Sequence, residues 1–327
     1  MKRKNILVTC VGSSMAYMII KSLKNYNVIG VDMDENAVGK HFLRKFYCVK
    51  PGKEYNNEML SICKSEKIDM VIPGADEEVF ALASMSSHFW AAGIILAMPS
   101  NSFLYQSKDV MYRHLDSHNI DTPKWILIDK APQLLKAVKK LGYAKKPVIL
   151  KVAAGRGGRG VWKLTYGAKD STFGRSSVPE KTLTEMLNIL QPTEMPPMIV
   201  MENLEGDFYD VDILGKTIVT RKRINPVGIP FKGNVIEKNK EIIAISKKVQ
   251  AVLNNPYLYD IDICLTTDGP KILEVNPRPS GSVAAMTTLG LNVYDLMVKR
   301  TFGIDEGKIS IPFGKTVIPY TIAKEIK

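Results

Sequence analysis

Three oxygen-bearing residues near the carboxyl end of the chain form its clearest chemical pattern. Two strand-like runs, Tyr259–Leu265 and Lys271–Arg278, flank a Thr-Thr-Asp-Gly turn, which predicts an antiparallel hairpin. In that hairpin Asp262 can face Glu274, and Asn276 shares the side of Glu274 because side chains two residues apart point the same way. Two carboxylates and an amide oxygen suit Mg²⁺ that bridges phosphates. The alternative, a pair of solvated strand acids, fits poorly because aliphatic residues flank Glu274 on both sides.

A lysine and a glycine-rich loop form the second pattern. Lys151 lies in the apolar run Val148–Val152, where a buried, unpaired ammonium group would be costly. The loop that follows contains four glycines, namely Gly155, Gly157, Gly158 and Gly160. Glycines allow backbone N–H groups to approach an anion. No GK[ST] sequence follows, and a second strand does, so we expect a hairpin loop that folds over phosphates. An RGG-like RNA-binding segment and a plain turn are the alternatives, and Lys151 favours phosphate.

Lys108 is a second candidate for a phosphate-binding lysine. It lies in the first turn of a predicted helix, after Gln106 and Ser107. Taken alone, this position is typical of an exposed helix lysine, so the pattern around it does not decide its role.

The first hundred residues alternate strands and helices. The predicted elements are a strand at Ile6–Cys10, a helix at Met15–Asn25, a strand at Val28–Asp32, a helix at Tyr55–Ser65 and a strand at Met70–Pro73. This alternation predicts a parallel, doubly wound sheet whose ligand edge lies at the strand carboxyl ends. The first turn holds only Gly12, so the GxGxxG dinucleotide fingerprint is absent, and Asp32 alone is weak evidence for ribose binding. A scaffold domain that helps to hold a substrate is the preferred interpretation.

Two further segments follow this N-terminal unit. The second segment has a helix predicted at Asp109–Asn119, a strand at Trp125–Ile128, a helix at Pro132–Leu141 and a strand at Pro147–Val152. The third starts with strands and is expected to finish in helices. The predicted domain boundaries are therefore 1–106, 107–200 and 201–327, within an α/β chain of 327 residues.

The composition is that of a globular protein with an excess of positive charge. Lysine and arginine number 45 against 33 acidic residues, a net charge of +12. Nucleic acid, a membrane surface and small polyanions all attract such a chain. No nucleic-acid-binding motif accompanies the basic residues, so a polyphosphate substrate explains the charge more simply. No run of about 18 apolar residues predicts a membrane span. Four cysteines without CxxC spacing favour reduced thiols and a cytoplasmic location.

Together these residues resemble the ATP-grasp superfamily, in the same order across nearly the whole chain. Lys108 resembles the first nucleotide-binding lysine of that family, Lys151 resembles the second, and the loop after Lys151 resembles the phosphate lid. Glu274-Val-Asn-Pro-Arg278 corresponds to the family's E-[IV]-N-P-R sequence. The resemblance implies that Asp262, Glu274 and Asn276 bind Mg²⁺, with Mn²⁺ as an alternative. It also implies a parallel N-terminal sheet domain followed by a two-lobed ATP-grasp fold, α+β in the ATP-binding part, with the small lobe at 107–200 and the large lobe at 201–327.

The resemblance also implies an adenine-binding hinge. Residues 198–206 look like that hinge, and they include Glu202, Asn203 and Leu204. Relatives usually carry a ribose-binding glutamate two residues after the hinge glycine, where this chain has Phe208. The neighbouring Asp207 is the residue that we expect to take this role.

The activity implied by the resemblance is that of a carboxylate–amine ligase. The closest likeness is to the carbamoyl-phosphate-synthetase-like group that includes the pyrrolysine-pathway amino-acid ligase. Such an enzyme would use ATP to convert a carboxylate into an acyl phosphate, which an amine then attacks. Arg278 and Arg221 are the candidates for binding the substrate carboxylate or the developing oxyanion. Another ATP-grasp reaction, such as carboxylation or phosphoryl transfer, and a non-catalytic nucleotide-binding module are the alternatives. Small-molecule substrates are expected, with a homodimer as one possible assembly.

Overall fold

The computed structural model describes residues 3–155, 160–167, 178–191, 194–225, 232–320 and 325. Within these residues the strands form three sheets, of five, five and six strands. The three sheets use strands drawn in order from the beginning, the middle and the end of the chain. Within the described part, no helix has both the length and the apolar character of a membrane span.

The first sheet is wholly parallel and has the strand order β3-β2-β1-β4-β5. Its elements, with a 3₁₀ helix at Val38–Phe42, are β1 (Asn5–Val8), α1 (Ala16–Ser22), β2 (Asn27–Asp32), β3 (Lys45–Cys48), α2 (Tyr55–Ser65), β4 (Met70–Ile72), α3 (Asp76–Ala83), α4 (Ser86–Ala91) and β5 (Ile95–Leu96). Alternate residues of β1 belong to different hydrophobic cores. Leu7 packs with α2, α3 and α4, whereas Ile6 and Val8 pack with α1 and with the helix at Val293–Thr301. The predicted parallel sheet with both faces covered is therefore confirmed.

The second sheet has the order β6-β10-β7-β8-β9. Its elements, preceded by a 3₁₀ helix at Ser102–Tyr105, are α5 (Lys108–Ser117), β6 (Trp125–Ile128), α6 (Ala131–Lys140), β7 (Val148–Val152), β8 (Val161–Leu164), β9 (Glu180–Lys181), α7 (Leu183–Leu190) and β10 (Met198–Glu202). Helices α6 and α7 cover one face, where Val148 and Leu150 are fully buried. Lys151 is directed to the opposite face because successive side chains of a strand alternate in direction.

The third sheet has the order β15-β14-β11-β12-β13-β16. Its elements, with a 3₁₀ helix at Val283–Leu289, are β11 (Asp207–Leu214), β12 (Thr217–Arg223), β13 (Asn234–Ile236), α8 (Lys240–Leu253), β14 (Tyr259–Thr266), β15 (Gly269–Asn276), α9 (Val293–Thr301) and β16 (Thr316–Val317). The last described element is thus a short strand, so the expectation that the third segment finishes in helices is wrong beyond α9. The C-terminal residues pair with β13 and extend the sheet by one strand.

The third sheet has one apolar face and one largely polar face. Tyr209, Val211 and Ile213 of β11 pack in a core that α8 covers. The residues between them, Asp210 and Asp212, lie on the other face together with side chains from β12, β14 and β15. This period of two places charged groups from four neighbouring strands side by side.

Candidate active site

Lys151 is buried in the space between the second and third sheets, with 7% of the residue exposed. Its Nζ donates to the Tyr112 hydroxyl at 2.8 Å and lies 3.5 Å from the Leu273 carbonyl oxygen, which also accepts a hydrogen bond from Tyr112. Burial, together with repulsion by Lys108, lowers the pKa of Lys151 to about 7, against the opposing attraction of Glu274 and Asp262. A phosphate placed against this amine would favour its charged form.

Lys108 and Glu274 form an ion pair at 2.9 Å, with only 12% of the lysine side chain and 27% of the glutamate side chain exposed. Lys108 is the first residue of α5, and its Nζ also donates to the Gly155 carbonyl at the start of the glycine-rich loop. Burial opposes ionisation of Glu274, but the charges of Lys108 and Lys151 outweigh it and lower the pKa of this carboxyl group. The two lysines and one of the expected metal ligands therefore lie together in this structure.

The glycine-rich loop is described only at its two ends. Gly160 accepts a hydrogen bond from the Val152 N–H at 2.9 Å and has a φ of +69°. A Cβ atom at Gly160 would lie 2.8 Å from a methyl group of Val152. Both the positive φ and this close approach therefore require glycine at this position. Gly157 and Gly158, two of the residues expected to contact phosphate, lie outside the described residues, and their role stays a prediction.

Asp262, Glu274 and Asn276 meet on adjacent strands. Asp262 lies opposite Glu274 in the β14–β15 ladder, and Asn276 lies opposite Asp260. The Asn276 amide donates its N–H to Asp260 at 3.0 Å, and in the described part of the chain its Oδ1 has no hydrogen-bond donor. Asp262 faces Glu274, as predicted, because the register of the hairpin shifts by one residue between Ile263 and Asp262; without this shift Leu273 would lie opposite Asp262.

In this structure the carboxylates that are close enough to share a divalent cation include Asp262 of the predicted ligands, but not Glu274. The carboxylates of Asp210, Asp260 and Asp262 place ligand atoms within 4.8 Å of one another. Among the described residues, Oδ1 of the buried Asp260 has no hydrogen-bond partner, which is the unsatisfied acceptor that a cation would satisfy. Burial raises the pKa of Asp262 to about 6, with repulsion by Asp210 and Glu274 adding to it and Arg223 opposing it. Carboxylate and amide oxygens are hard ligands of the kind that Mg²⁺ prefers.

Arg223 is a member of this charged cluster that the sequence analysis did not single out. Its Nε and Nη2 donate to Asp210 at 2.8 and 2.6 Å, and Nη2 also donates to Asp262 at 2.5 Å. These contacts place Arg223 within the cluster of carboxylates. The period of two along β12 already places Arg223 on the face of Arg221, and that signal could have identified it.

Arg221 is fully buried and has several partners. Its Nε donates to Asp212 at 2.6 Å, and its terminal nitrogens donate to Asn234, Ser280 and Ser282 at 2.7, 2.7 and 2.8 Å. A guanidinium group held by these partners does not present a free fork to a substrate carboxylate. The expectation of a carboxylate-binding role stays a prediction, and the geometry favours a positioning role beside Arg223.

Arg278 connects the last sheet to the N-terminal domain. Its Nε lies 3.0 Å from Asp76, whose side chain is 5% exposed at the start of α3. Asp76 follows β4, so it lies at the carboxyl edge of the parallel sheet, where a doubly wound domain binds ligands. The neighbouring Glu78 accepts hydrogen bonds from the Thr9 hydroxyl and from the N–H groups of Gly74 and Ala75, so it caps its own helix. Arg278 therefore lies where the N-terminal domain meets the third sheet.

The expected adenine hinge connects β10 to β11. Glu202 ends β10 and accepts a hydrogen bond from the Lys124 N–H at 2.9 Å, whereas Asn203 and Leu204 lie in the connection itself and are half-buried. A Cβ atom at Gly206 would lie 2.1 Å from the Leu265 carbonyl oxygen, so glycine allows this connection to lie directly against β14. The hinge role of these residues stays a prediction.

Asp207 lies on the face of β11 that is opposite to Asp210 and Asp212. It forms an ion pair with Lys222 at 2.6 Å and has half of its side chain exposed. Lys222 lies on the face of β12 opposite to Arg221 and Arg223, so Asp207 is directed away from the metal carboxylates. The expectation that Asp207 replaces the missing ribose-binding glutamate stays a prediction.

Two family models match separate parts of the chain. The model described as PylC-like, N-terminal domain matches residues 6–97. The model described as ATP-grasp in the biosynthetic pathway with Ter operon matches residues 194–319, which include the Asp262, Glu274 and Asn276 cluster. The chain therefore contains a PylC-like N-terminal domain and an ATP-grasp domain.

Solved structures share the fold of this chain at low sequence identity. N5-carboxyaminoimidazole synthetase from Staphylococcus aureus complexed with ADP is 13% identical, with a TM-score of 0.71 over 92% of this chain and 78% of that chain. The biotin carboxylase domain of Hydrogenobacter thermophilus 2-oxoglutarate carboxylase, also 13% identical, has a TM-score of 0.71 over 96% and 73%. L-amino acid ligase from Bacillus licheniformis is 13% identical, with a TM-score of 0.62 over 91% and 74%. No curated protein sequence gives a significant match. These likenesses establish the fold and leave the substrates open.

Proposed function

We propose that the protein is an ATP-dependent carboxylate–amine ligase that forms an acyl phosphate and releases ADP and phosphate. The observation that carries this proposal is the convergence of Lys108, Lys151 and Glu274, with Asn276 on the strand of Glu274 and Asp262 on the adjoining strand. Two cationic amines beside a carboxylate-rich face suit a polyphosphate held together with a divalent cation. The L-amino acid ligase among the structures of similar fold is compatible with this choice.

The lysines and the acidic face have separate tasks in this proposal. Lys151 and Lys108 bind the nucleotide phosphates, which requires Lys108 to exchange its contact with Glu274 for one with phosphate. Asp262, Glu274 and Asn276 hold Mg²⁺, or Mn²⁺ in its place. When bound, the metal neutralises charge on the transferred phosphoryl group. This division accounts for why cations and carboxylates are buried together.

The arginines act on the carboxylate substrate. Arg278 lies between the metal-binding strand and Asp76, so it is the proposed ligand for the substrate carboxylate or for the oxyanion formed during amine attack. Asp76, at the ligand edge of the N-terminal sheet, is placed to hold both Arg278 and an amino group of the substrate. We place the enzyme in the cytoplasm, which its four free cysteines favour.

Isotope transfer tests the acyl phosphate directly. The protein is incubated with ATP, Mg²⁺, pooled amines and a pool of amino acids and other carboxylates labelled with ¹⁸O, in the presence of unlabelled bicarbonate. Attack of a carboxylate oxygen on the γ-phosphorus, followed by amine displacement, leaves one ¹⁸O in the released phosphate. We expect labelled phosphate and an amide product by mass spectrometry. ADP formation that requires only bicarbonate and yields unlabelled phosphate would identify a carboxylase instead.

Replacing Lys151 by methionine is expected to weaken ATP binding about 10- to 100-fold, the loss of a charge-assisted contact worth about 1–3 kcal/mol. It should also increase the unfolding free energy of the free protein near pH 7, because a buried ammonium group no longer has to be desolvated. Calorimetry and chemical denaturation measure the two effects. The control is Lys146→Met, which removes an exposed lysine just before the same strand.

The same lysine makes nucleotide binding take up a proton. Its pKa of about 7 in the free protein lies below the ordinary value of 10.5, and a bound phosphate raises it. At a pH between about 7 and 10.5, the ATP complex therefore holds more protons than the free protein. At pH 8 we expect uptake of about one proton per ATP, seen as a dependence of the binding enthalpy on the buffer. Uptake that persists in Lys151→Met would assign the proton to another group.

A further inference from the structure

A second cavity lies in the N-terminal domain, apart from the candidate active site. It has a volume of about 580 Å³, which is within the range of small-molecule sites. Its lining comes from the start of the chain, α1, the 3₁₀ helix and the first residues of the strands. Asn5, Asn27 and Lys45 line it, and each is the first residue of its strand in β1, β2 and β3.

This position separates the cavity from the nucleotide-binding chemistry. In a parallel sheet all first residues lie at one edge and all last residues at the other. Asp32 ends β2, and Asp76, the partner of Arg278, follows β4, so both lie at the opposite edge. Strands of four to six residues place about 13–20 Å between the two edges. A ligand in the cavity would therefore not occupy the site described above.

The cavity has a strong excess of positive charge. Five of its lining residues are cationic, namely Arg3, Lys21, Lys24, Arg44 and Lys45, and a single lining residue is acidic. That residue, Glu66, is already engaged by Lys45 at 2.7 and 2.8 Å and by the Tyr47 hydroxyl at 2.6 Å. For the other four cations the described part of the chain provides no acidic partner. Like charges gathered around a concave surface focus a field that attracts anions.

The interior of the cavity is apolar and aromatic. Tyr17 and Phe42 form a ring pair with centroids 4.8 Å apart, and Tyr17 has 47% of its surface exposed. Lys21 lies 5.8 Å from the centre of the Tyr17 ring. Ile20, Val28, Ile29 and Leu43 are the aliphatic residues of the lining. The site thus combines a surface for a flat or apolar group with a cationic rim.

We propose that this cavity binds a small anion with an aromatic ring and several negative charges, of the nucleoside-phosphate class. The rim would hold the phosphates, and the Tyr17–Phe42 pair would contact the base. A second copy of this chain is a poorer occupant, because a twofold axis through the cavity would bring two basic rims together. An inorganic polyanion would leave the aromatic surface unused.

Lysine footprinting tests the site without relying on turnover. The Lys151→Met protein, whose catalytic site binds ATP weakly, is treated with an acetylating reagent in the presence of ATP, AMP or inorganic tripolyphosphate, and peptides are analysed by mass spectrometry. We expect ATP to slow acetylation of Lys21 and Lys24 at least threefold, and more than tripolyphosphate does. Lys53 and Lys64, exposed in the same domain but outside the cavity lining, should be unaffected.

Each other outcome contradicts part or all of the proposal. Equal protection by ATP and tripolyphosphate would exclude the nucleoside class, and no protection would exclude the site. Equilibrium dialysis with labelled ATP independently counts the ATP-binding sites. We expect two sites in the wild-type protein and one in Lys21→Glu/Lys24→Glu. The variant Lys53→Glu/Lys64→Glu, with the same change in net charge, should keep two. Two sites in both variants would overturn the assignment.

Discussion

Replacing Glu274 by glutamine is expected to reduce Mg²⁺-dependent ADP formation about 10²–10⁴-fold, while nucleotide binding changes little. The carboxylate lies opposite Asp262 and beside Lys108, so the substitution removes one negative charge from the proposed metal site and keeps the side-chain shape. Charge stabilisation by a metal is worth several kcal/mol in the transition state, and each 1.36 kcal/mol corresponds to a factor of ten. ADP release at saturating Mg²⁺, as turnover or slow hydrolysis, measures the loss.

A matched control lies on the same hairpin. Asp268 is exposed in the turn between β14 and β15, and its N–H donates to Thr266. Asp268→Asn also removes one carboxylate charge but leaves the polar face intact, so its activity should stay within about twofold, as is usual for surface substitutions of a few tenths of a kcal/mol. Equal damage in the two variants, or full activity in Glu274→Gln, would show that this hairpin does not hold the metal.

Replacing Arg221 by methionine is expected to lower the unfolding free energy by about 3–5 kcal/mol, the usual effect of removing one partner of a buried ion pair. Arg221 and Asp212 have fully buried side chains 2.6 Å apart, so the variant would leave the Asp212 carboxyl group buried without its main partner. Chemical denaturation measures the change. Asp212→Leu in the same protein should restore much of the loss, because the uncompensated carboxylate is then absent.

The same variant separates a structural role of Arg221 from a substrate-binding one. If Arg221→Met keeps its stability within about 1 kcal/mol but raises KM for the carboxylate substrate, the residue binds substrate, as the sequence alone suggested. If stability falls and the double variant recovers it, Arg221 holds the polar face in place. Arg223, which contacts Asp210 and Asp262 directly, then becomes the arginine nearest to the metal ligands.

Local sequence determined the parts of the site that lie close together in the chain. The turn between two short strands specifies the hairpin, because a hairpin needs only neighbouring residues to fix its register. That register alone would place Leu273 opposite Asp262, and a one-residue shift beside Asp262, which the sequence did not reveal, brings Glu274 there instead. Lys151 and Glu274 were recognisable because each interrupts an apolar run, where an ionic group is costly without a partner. Alternating strands and helices likewise specified the parallel N-terminal sheet.

Only the tertiary structure decided which charges neutralise one another. Arg223 meets Asp262 across 39 positions of sequence, and Arg278 meets Asp76 across about two hundred. No local pattern encodes such pairs, because they depend on which strands become neighbours in the sheet and on how the N-terminal domain packs against it. The side that Asp207 faces has the same origin. Its residue type suits ribose, but the side that it faces is set by the register of β11, in which a single-residue shift turns a carboxylate away from the site.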